Sequence, residues 1–172
     1  ITNASNTTVE SGARITADAT GNGVGGTVIV WADHDPIFEG EVSARGAGSG
    51  RGGFIEVSGK ENLHFRGLAN ASSPRGLRGT VLFDPGSVSV GNAASTLPIA
   101  TVTALLDTNT NVIIATHSGD IVFKSLTGDF RDVSVQWNTD ASLGVFASGN
   151  VVFRNHARTA GAGSVNVIAG WV

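Results

Sequence analysis

A short β-rich run behind a glycine returns along this chain at nearly constant spacing. Thr27-Val-Ile-Val-Trp31, Phe54-Ile-Glu-Val-Ser58 and Thr80-Val-Leu-Phe-Asp84 follow Gly26, Gly53 and Gly79, which lie 27 and then 26 residues apart. A second set keeps the same step: Ile15, Val42 and Ala69, then Ala17, Ala44 and Ala71, together with the pairs Phe38/Phe65 and Gly40/Gly67. The one-residue slip falls where Arg45–Gly53 becomes Ser72–Gly79, a loop in which a length change is least disruptive. A period of this size is the mark of a repeat architecture.

Within each run the pattern alternates. Val28, Ile55 and Val81 fall in register, as do Val30, Val57 and Phe83, with Glu56, Ser58 and Asp84 among the residues between them. Alternation with period two marks strands with one buried face. A unit of about 27 residues cannot bury that face alone, so successive units must cover one another. The expected fold is all-β: a parallel β-helix, or β-solenoid, whose inward residues stack in columns. Glycines serve the corners, where positive φ or close backbone approach is needed.

Residues 98–172 are less regular than 1–97, but the chain is expected to form a single module. Gly119-Asp-Ile-Val-Phe-Lys124 returns 30 residues on as Gly149-Asn-Val-Val-Phe-Arg154. Val133–Trp137, Leu143–Ala147 and Val165–Ile168 read as further strands. Between the halves, Val102, Leu105 and Leu106 show i, i+3, i+4 spacing. This predicts one short helix near 101–107, with Thr101 as its cap and Pro98 ending the preceding strand.

Composition limits the function classes. The formal charge is −3 and no basic cluster dominates, so nucleic acid is not an expected partner. There is no cysteine, which removes disulfides and thiolate metal sites. The apolar runs are too short for membrane insertion. The chain begins at Ile1 without a leader-like segment and reads as a piece of a longer protein.

Several clusters invite chemical readings. Asp33, His34 and Asp35 suggest a metal or acid/base site, but adjacent residues on an extended chain point to opposite faces. The matching positions one repeat later hold Lys60, Glu61 and Asn62, which complete no ligand set. A solvated corner is the expectation. Gly46–Gly53 lacks the lysine and Ser/Thr of a phosphate loop and precedes a strand, not a helix. It also lacks the aspartate of a calcium-binding nonapeptide and reads as a tight turn. Glu39, Glu41, Glu56 and Asp84 are scattered and form no tight carboxylate group of the kind glycoside cleavage needs. Accordingly no catalytic, cofactor or metal residues are assigned.

Arg51, Arg75 and Arg78 occupy equivalent loops of two successive coils and are the candidate contacts for a glycan or other partner. Trp137 is expected in the core, and Trp31 beside Ile29 on an outer face. Asn3, Asn6 and Asn70 lie in N-x-S/T sequons.

From Gly25 to Val90 the ordered series Trp31-Ala-Asp33, Ser43-Ala-Arg-Gly46, Glu56-Val-Ser-Gly-Lys60 and Phe83-Asp-Pro85 resembles the repeat region of two-partner secretion exoproteins, the filamentous-haemagglutinin-like adhesins of Gram-negative bacteria. The resemblance implies a right-handed parallel β-helix, passage through an outer-membrane transporter pore, a place at the cell surface or in the secreted fraction, and a role in attachment to host glycans or matrix receptors. The family's secretion domain carries Asn-Pro-Asn motifs. None occurs here, so shaft or a distal module is expected. The competing expectation is a polysaccharide-active β-helix enzyme.

Overall fold

The computed structural model describes residues 5–125 and 133–171. Its strands stack as a parallel β-solenoid with three sides. The first side is a six-stranded sheet of β3 (Thr27–Ala32), β6 (Phe54–Gly59), β9 (Thr80–Asp84), β12 (Asn111–Thr116), β15 (Leu143–Ala147) and β18 (Val165–Ala169), hydrogen-bonded in that order. The second side holds β1 (Thr7–Val9), β4 (Pro36–Phe38) and β7 (His64–Phe65). It continues with β11 (Leu97–Pro98), β10 (Val88–Gly91), β13 (Ile121–Phe123) and β16 (Val151–Phe153). The third side holds β2 (Arg14–Thr16), β5 (Glu41–Ser43) and β8 (Leu68–Asn70), and separately β14 (Val133–Trp137) and β17 (His156–Thr159).

Register follows the repeat. Val28, Ile55, Val81, Val112, Leu143 and Val165 pair in succession, as do Val30, Val57, Phe83, Ile114, Val145 and Val167. Both columns point inward and are buried from β3 through β15. They emerge on β18, one of the two end strands of the sheet, where Val165 and Val167 are exposed. The recurrence of Gly119–Lys124 at Gly149–Arg154 is the pairing of β13 with β16, Ile121 opposite Val151. Leu143–Ala147 and Val165–Ile168 are likewise strands of the first sheet, and Trp137 is fully buried with its Nε1 donating to the Ala141 carbonyl at 2.7 Å.

At the corners, close approach matters more than positive φ. A Cβ on Gly53 would collide with the carbonyl oxygen of Gly26 in the coil below. Gly53 itself does not have positive φ. Thus glycine lets the backbones of adjacent coils meet.

The helix α1 spans Ile99–Asp107, two residues earlier than its sequence pattern predicts. Thr101 is therefore not its cap. Pro98 occupies the N-cap with extended φ and ψ of −64° and 137°, and no side chain caps the helix. A proline fits there because its ring fixes φ near the observed −64° and the N–H groups at a helix start have no intrahelical partner in any case. The helix stops at Asp107 with Thr108 as its C-cap, and Asn109 just beyond is the one described non-glycine residue with positive φ, 58°. Its N–H reaches the Leu106 carbonyl, and the Thr110 N–H reaches that of Leu105, closing the last turn. Ile99, Val102, Leu105 and Leu106 are buried. The helix lies in the layer of the third side, between β8 and β14, taking the place of a strand in that coil.

Candidate functional site

The Asp33-His34-Asp35 corner links two coils residue by residue. Asp33 pairs with Lys60 at 2.6 Å, His34 Nδ1 lies 2.6 Å from Glu61 Oε1, and Asp35 Oδ1 accepts from the Asn62 N–H and its side-chain amide at 3.2 and 3.1 Å. The three side chains do not converge on one point. Each is matched to the residue 27 positions later.

The Asp35 bond belongs to a recurring device. Asp18 Oδ1 accepts from Arg45 N, Asn22 Oδ1 from Ser49 N, Asn111 Oδ1 from Ser142 N, Asp120 Oδ1 from Asn150 N and Asp140 Oδ1 from Ala162 N, at 2.7–3.0 Å. In every case the donor is one coil further on. Where the chain bends and the strand ladder stops, a short polar side chain supplies the acceptor that the next coil's N–H needs. At Asp18, burial pushes the carboxyl upward. The Arg45 backbone N–H, the Arg45 guanidinium and the Ser43 hydroxyl outweigh it and leave the carboxyl below the usual carboxylate range.

The three candidate arginines are placed differently. Arg51 and Arg75 are exposed on the loops. Arg78 is half-buried and turns to the following coils: its Nε donates to Asn109 Oδ1 at 3.0 Å and a terminal nitrogen lies 3.7 Å from Asp140. The backbone register sets Arg51 opposite Leu77, because Gly52 N donates to the Leu77 carbonyl as Gly25 N does to that of Arg51. Of the sequons, Asn6 is exposed, Asn70 Oδ1 accepts from the Ser72 N–H and hydroxyl, and Asn3 lies outside the described residues.

On the outward face of the first sheet, Ser58 stands opposite both Trp31 and Asp84 in the register. Ile29 is exposed and Trp31 half-buried. Ser58 Oγ donates to Glu56 at 2.7 Å. Burial pushes the Asp84 carboxyl above the usual range; the His117 ring, 3.8 Å away, opposes this and the Glu56 charge adds to it. This proximity of Asp84 to His117 was not legible in the sequence, because it follows from the pairing of β9 with β12 across the inserted helix, Phe83 opposite Ile114. A carboxyl with a raised folded pKa holds its proton more tightly in the folded chain than in the unfolded one. Its contribution is full below the unfolded pKa, about 3.9, and is lost as pH rises through the raised value. Asp84→Asn is therefore expected to gain stability relative to the parent as pH moves from acid to neutral. Thermal melts at both conditions check this, and a variant that loses stability relative to the parent toward neutrality would refute it.

Among the described residues no group of three or more His, Cys, Asp or Glu is placed to hold a metal ion, and no helix is long and apolar enough to cross a membrane. The fold and these corners define a parallel β-solenoid with an inserted helix. Comparison with protein-family models, curated proteins and solved structures finds no match.

Proposed function

We propose that this chain is a non-catalytic structural and adhesive segment of a large secreted exoprotein at a bacterial surface, working in attachment after export through an outer-membrane pore. The observation that supports it best is the coil-to-coil ladder. Asp33, His34 and Asp35, the residues most suggestive of chemistry, are each committed to a partner in the next coil. Polar side chains used this way lengthen and stiffen a solenoid, which adds about 4.8 Å per coil. The loops at the corners are then the surfaces available for contact, and Arg51 and Arg75 are exposed cations there.

The test applies the full chain to arrays of glycans and matrix proteins and to intact cells, alongside an assay for reducing ends released from acidic polysaccharides. Binding without turnover is expected, and the double variant Arg51→Ser, Arg75→Ser is expected to weaken cell binding while melting with the parent. Release of reducing ends that depends on Asp33, His34, Asp35 or Asp84 would overturn this reading in favour of a polysaccharide-active enzyme.

A further inference from the structure

Because α1 occupies a strand's place, it creates a ledge above β2, β5 and β8. A helix is about 10 Å across with its side chains, whereas successive strands lie about 4.8 Å apart. The outward face of the three strands and the flank of the helix together enclose a cleft of about 530 Å³. That volume lies within the ~300–1,000 Å³ of small-ligand sites.

The floor is two columns set by the register. Arg14, Glu41 and Leu68 stack in one; Thr16, Ser43 and Asn70 stack in the other. The second column is wholly hydroxyl and amide. Leu68 is 65% exposed and gives the floor one apolar surface. The exposed helix residues Ala100 and Ala104 are small, and Thr101 and Thr108 add hydroxyls to the wall.

The charges are unequal. Arg14 is matched by Glu41 at 2.9 Å, and Arg45 by Asp18 at 2.7 Å. Arg66 has no carboxylate partner among the described residues. Its guanidinium donates to the carbonyls of Phe65, Ser95 and Thr96. Those bonds hold the group in place without neutralising it and use three of its five N–H donors. The cleft thus presents one fixed, uncompensated cation beside an apolar platform and a row of hydroxyl groups.

We propose that this cleft binds a short acidic oligosaccharide, one sugar carboxylate facing Arg66, a ring face resting on Leu68, and ring hydroxyls exchanging hydrogen bonds with the Thr16–Ser43–Asn70 column. A carboxylate suits the guanidinium fork. Many hydroxyls suit a floor of hydroxyls and amide. A peptide fits less well: peptides that join sheets pair with a strand edge, and here a sheet face is offered. The aromatic anchors that dominate protein contacts do not line this cleft.

The inference deepens the attachment reading and rests on it for its setting, but a direct titration tests it separately. The full chain is titrated calorimetrically with a galacturonic acid trimer, its neutral methyl ester and triglutamate. The acid trimer is expected to bind at least about tenfold more tightly than the other two, roughly 1.4 kcal/mol, and to weaken as salt is raised. Leu68→Glu and Ala104→Trp both change exposed residues, so both are expected to melt with the parent and to lose at least about tenfold in affinity. Arg51→Ser with Arg75→Ser is expected to leave the titration unchanged. No binding of the trimer, equal binding of acid and ester, equal binding of triglutamate, or full affinity in both cleft variants would each overturn the proposal. If cell binding persists when the trimer fails, the cleft falls and the attachment reading stands. If the trimer binds but no cell or array surface does, the attachment reading falls and the cleft stands.

Discussion

Val57→Asp is expected to lower the stability of the chain by about 3–5 kcal/mol and to move its urea midpoint well below the parent's. Val57 is fully buried and stands in register between Val30 and Phe83, both also buried. An aspartate there has apolar neighbours above and below and no cation within the column. Removing a charge from water without a partner costs about 3–5 kcal/mol, against a total stability of about 5–15 kcal/mol for a typical domain. Protonation of the aspartate relieves only part of this, because the neutral acid still lacks a hydrogen-bond partner. The contrast is Ile29→Asp, at an outward position of the neighbouring strand that is 60% exposed. It is expected to stay within about 0.5 kcal/mol of the parent, as surface changes usually do. Urea unfolding followed by circular dichroism measures both. Should Val57→Asp unfold at the parent's midpoint while Ile29→Asp does not, the register is displaced by one residue and every inward side chain has been assigned to the wrong face.

The second large effect is expected at Phe65. Its ring stacks on Phe38 with centroids 5.0 Å apart and planes 6° from parallel, and meets Phe83 edge-on at 5.0 Å and 70°. All three rings are fully buried. Phe65→Ala removes the central ring and leaves a void that the flanking coils cannot fill, because their backbones are already held at strand spacing. Such truncations cost about 3–5 kcal/mol. The melting temperature of a chain this size is expected to fall by roughly 2–4 °C per kcal/mol lost. In a solenoid each coil contacts only its neighbours, so the damage is expected to be uneven. Amide exchange should quicken most in β4, β7 and the strands beside them, and least in β15. Uniform loss of protection would show instead that the coils unfold as one unit. An unchanged melting temperature would mean that the three rings do not form the stack.

The columns of the first sheet were legible because a strand's period is two and the repeat is nearly constant. Once Gly26, Gly53 and Gly79 are aligned, Val28, Ile55 and Val81 have no other face to occupy. The same step placed Ile15 with Val42 and Ala69, and it implies the outward neighbours Arg14–Glu41–Leu68 and Thr16–Ser43–Asn70, which line the cleft floor. The corner ladder was half legible. The matching of Asp33–Asp35 to Lys60–Asn62 follows from spacing, whereas the backbone N–H that each short side chain accepts depends on how sharply the chain bends.

What the sequence by itself determined, then, is which residues repeat, which face inward and which coils are neighbours, because these follow from local periodicity and from the need to bury one face. Contacts across the coil were decided by tertiary structure alone. Phe65 belongs to the second side and Phe83 to the first, and only closure of the coil brings one ring against the edge of the other. His117 reaches Asp84 because β12 pairs with β9, Phe83 opposite Ile114, a pairing that spans the inserted helix and follows from no constant spacing. The periodicity of α1 names Val102, Leu105 and Leu106 as its buried face but does not say what they are buried against. Its position within the third side, and the cleft that results, depend on a helix being wider than the strand whose place it takes. That width leads to no pattern along the chain, because it is a property of packed layers and not of neighbouring residues.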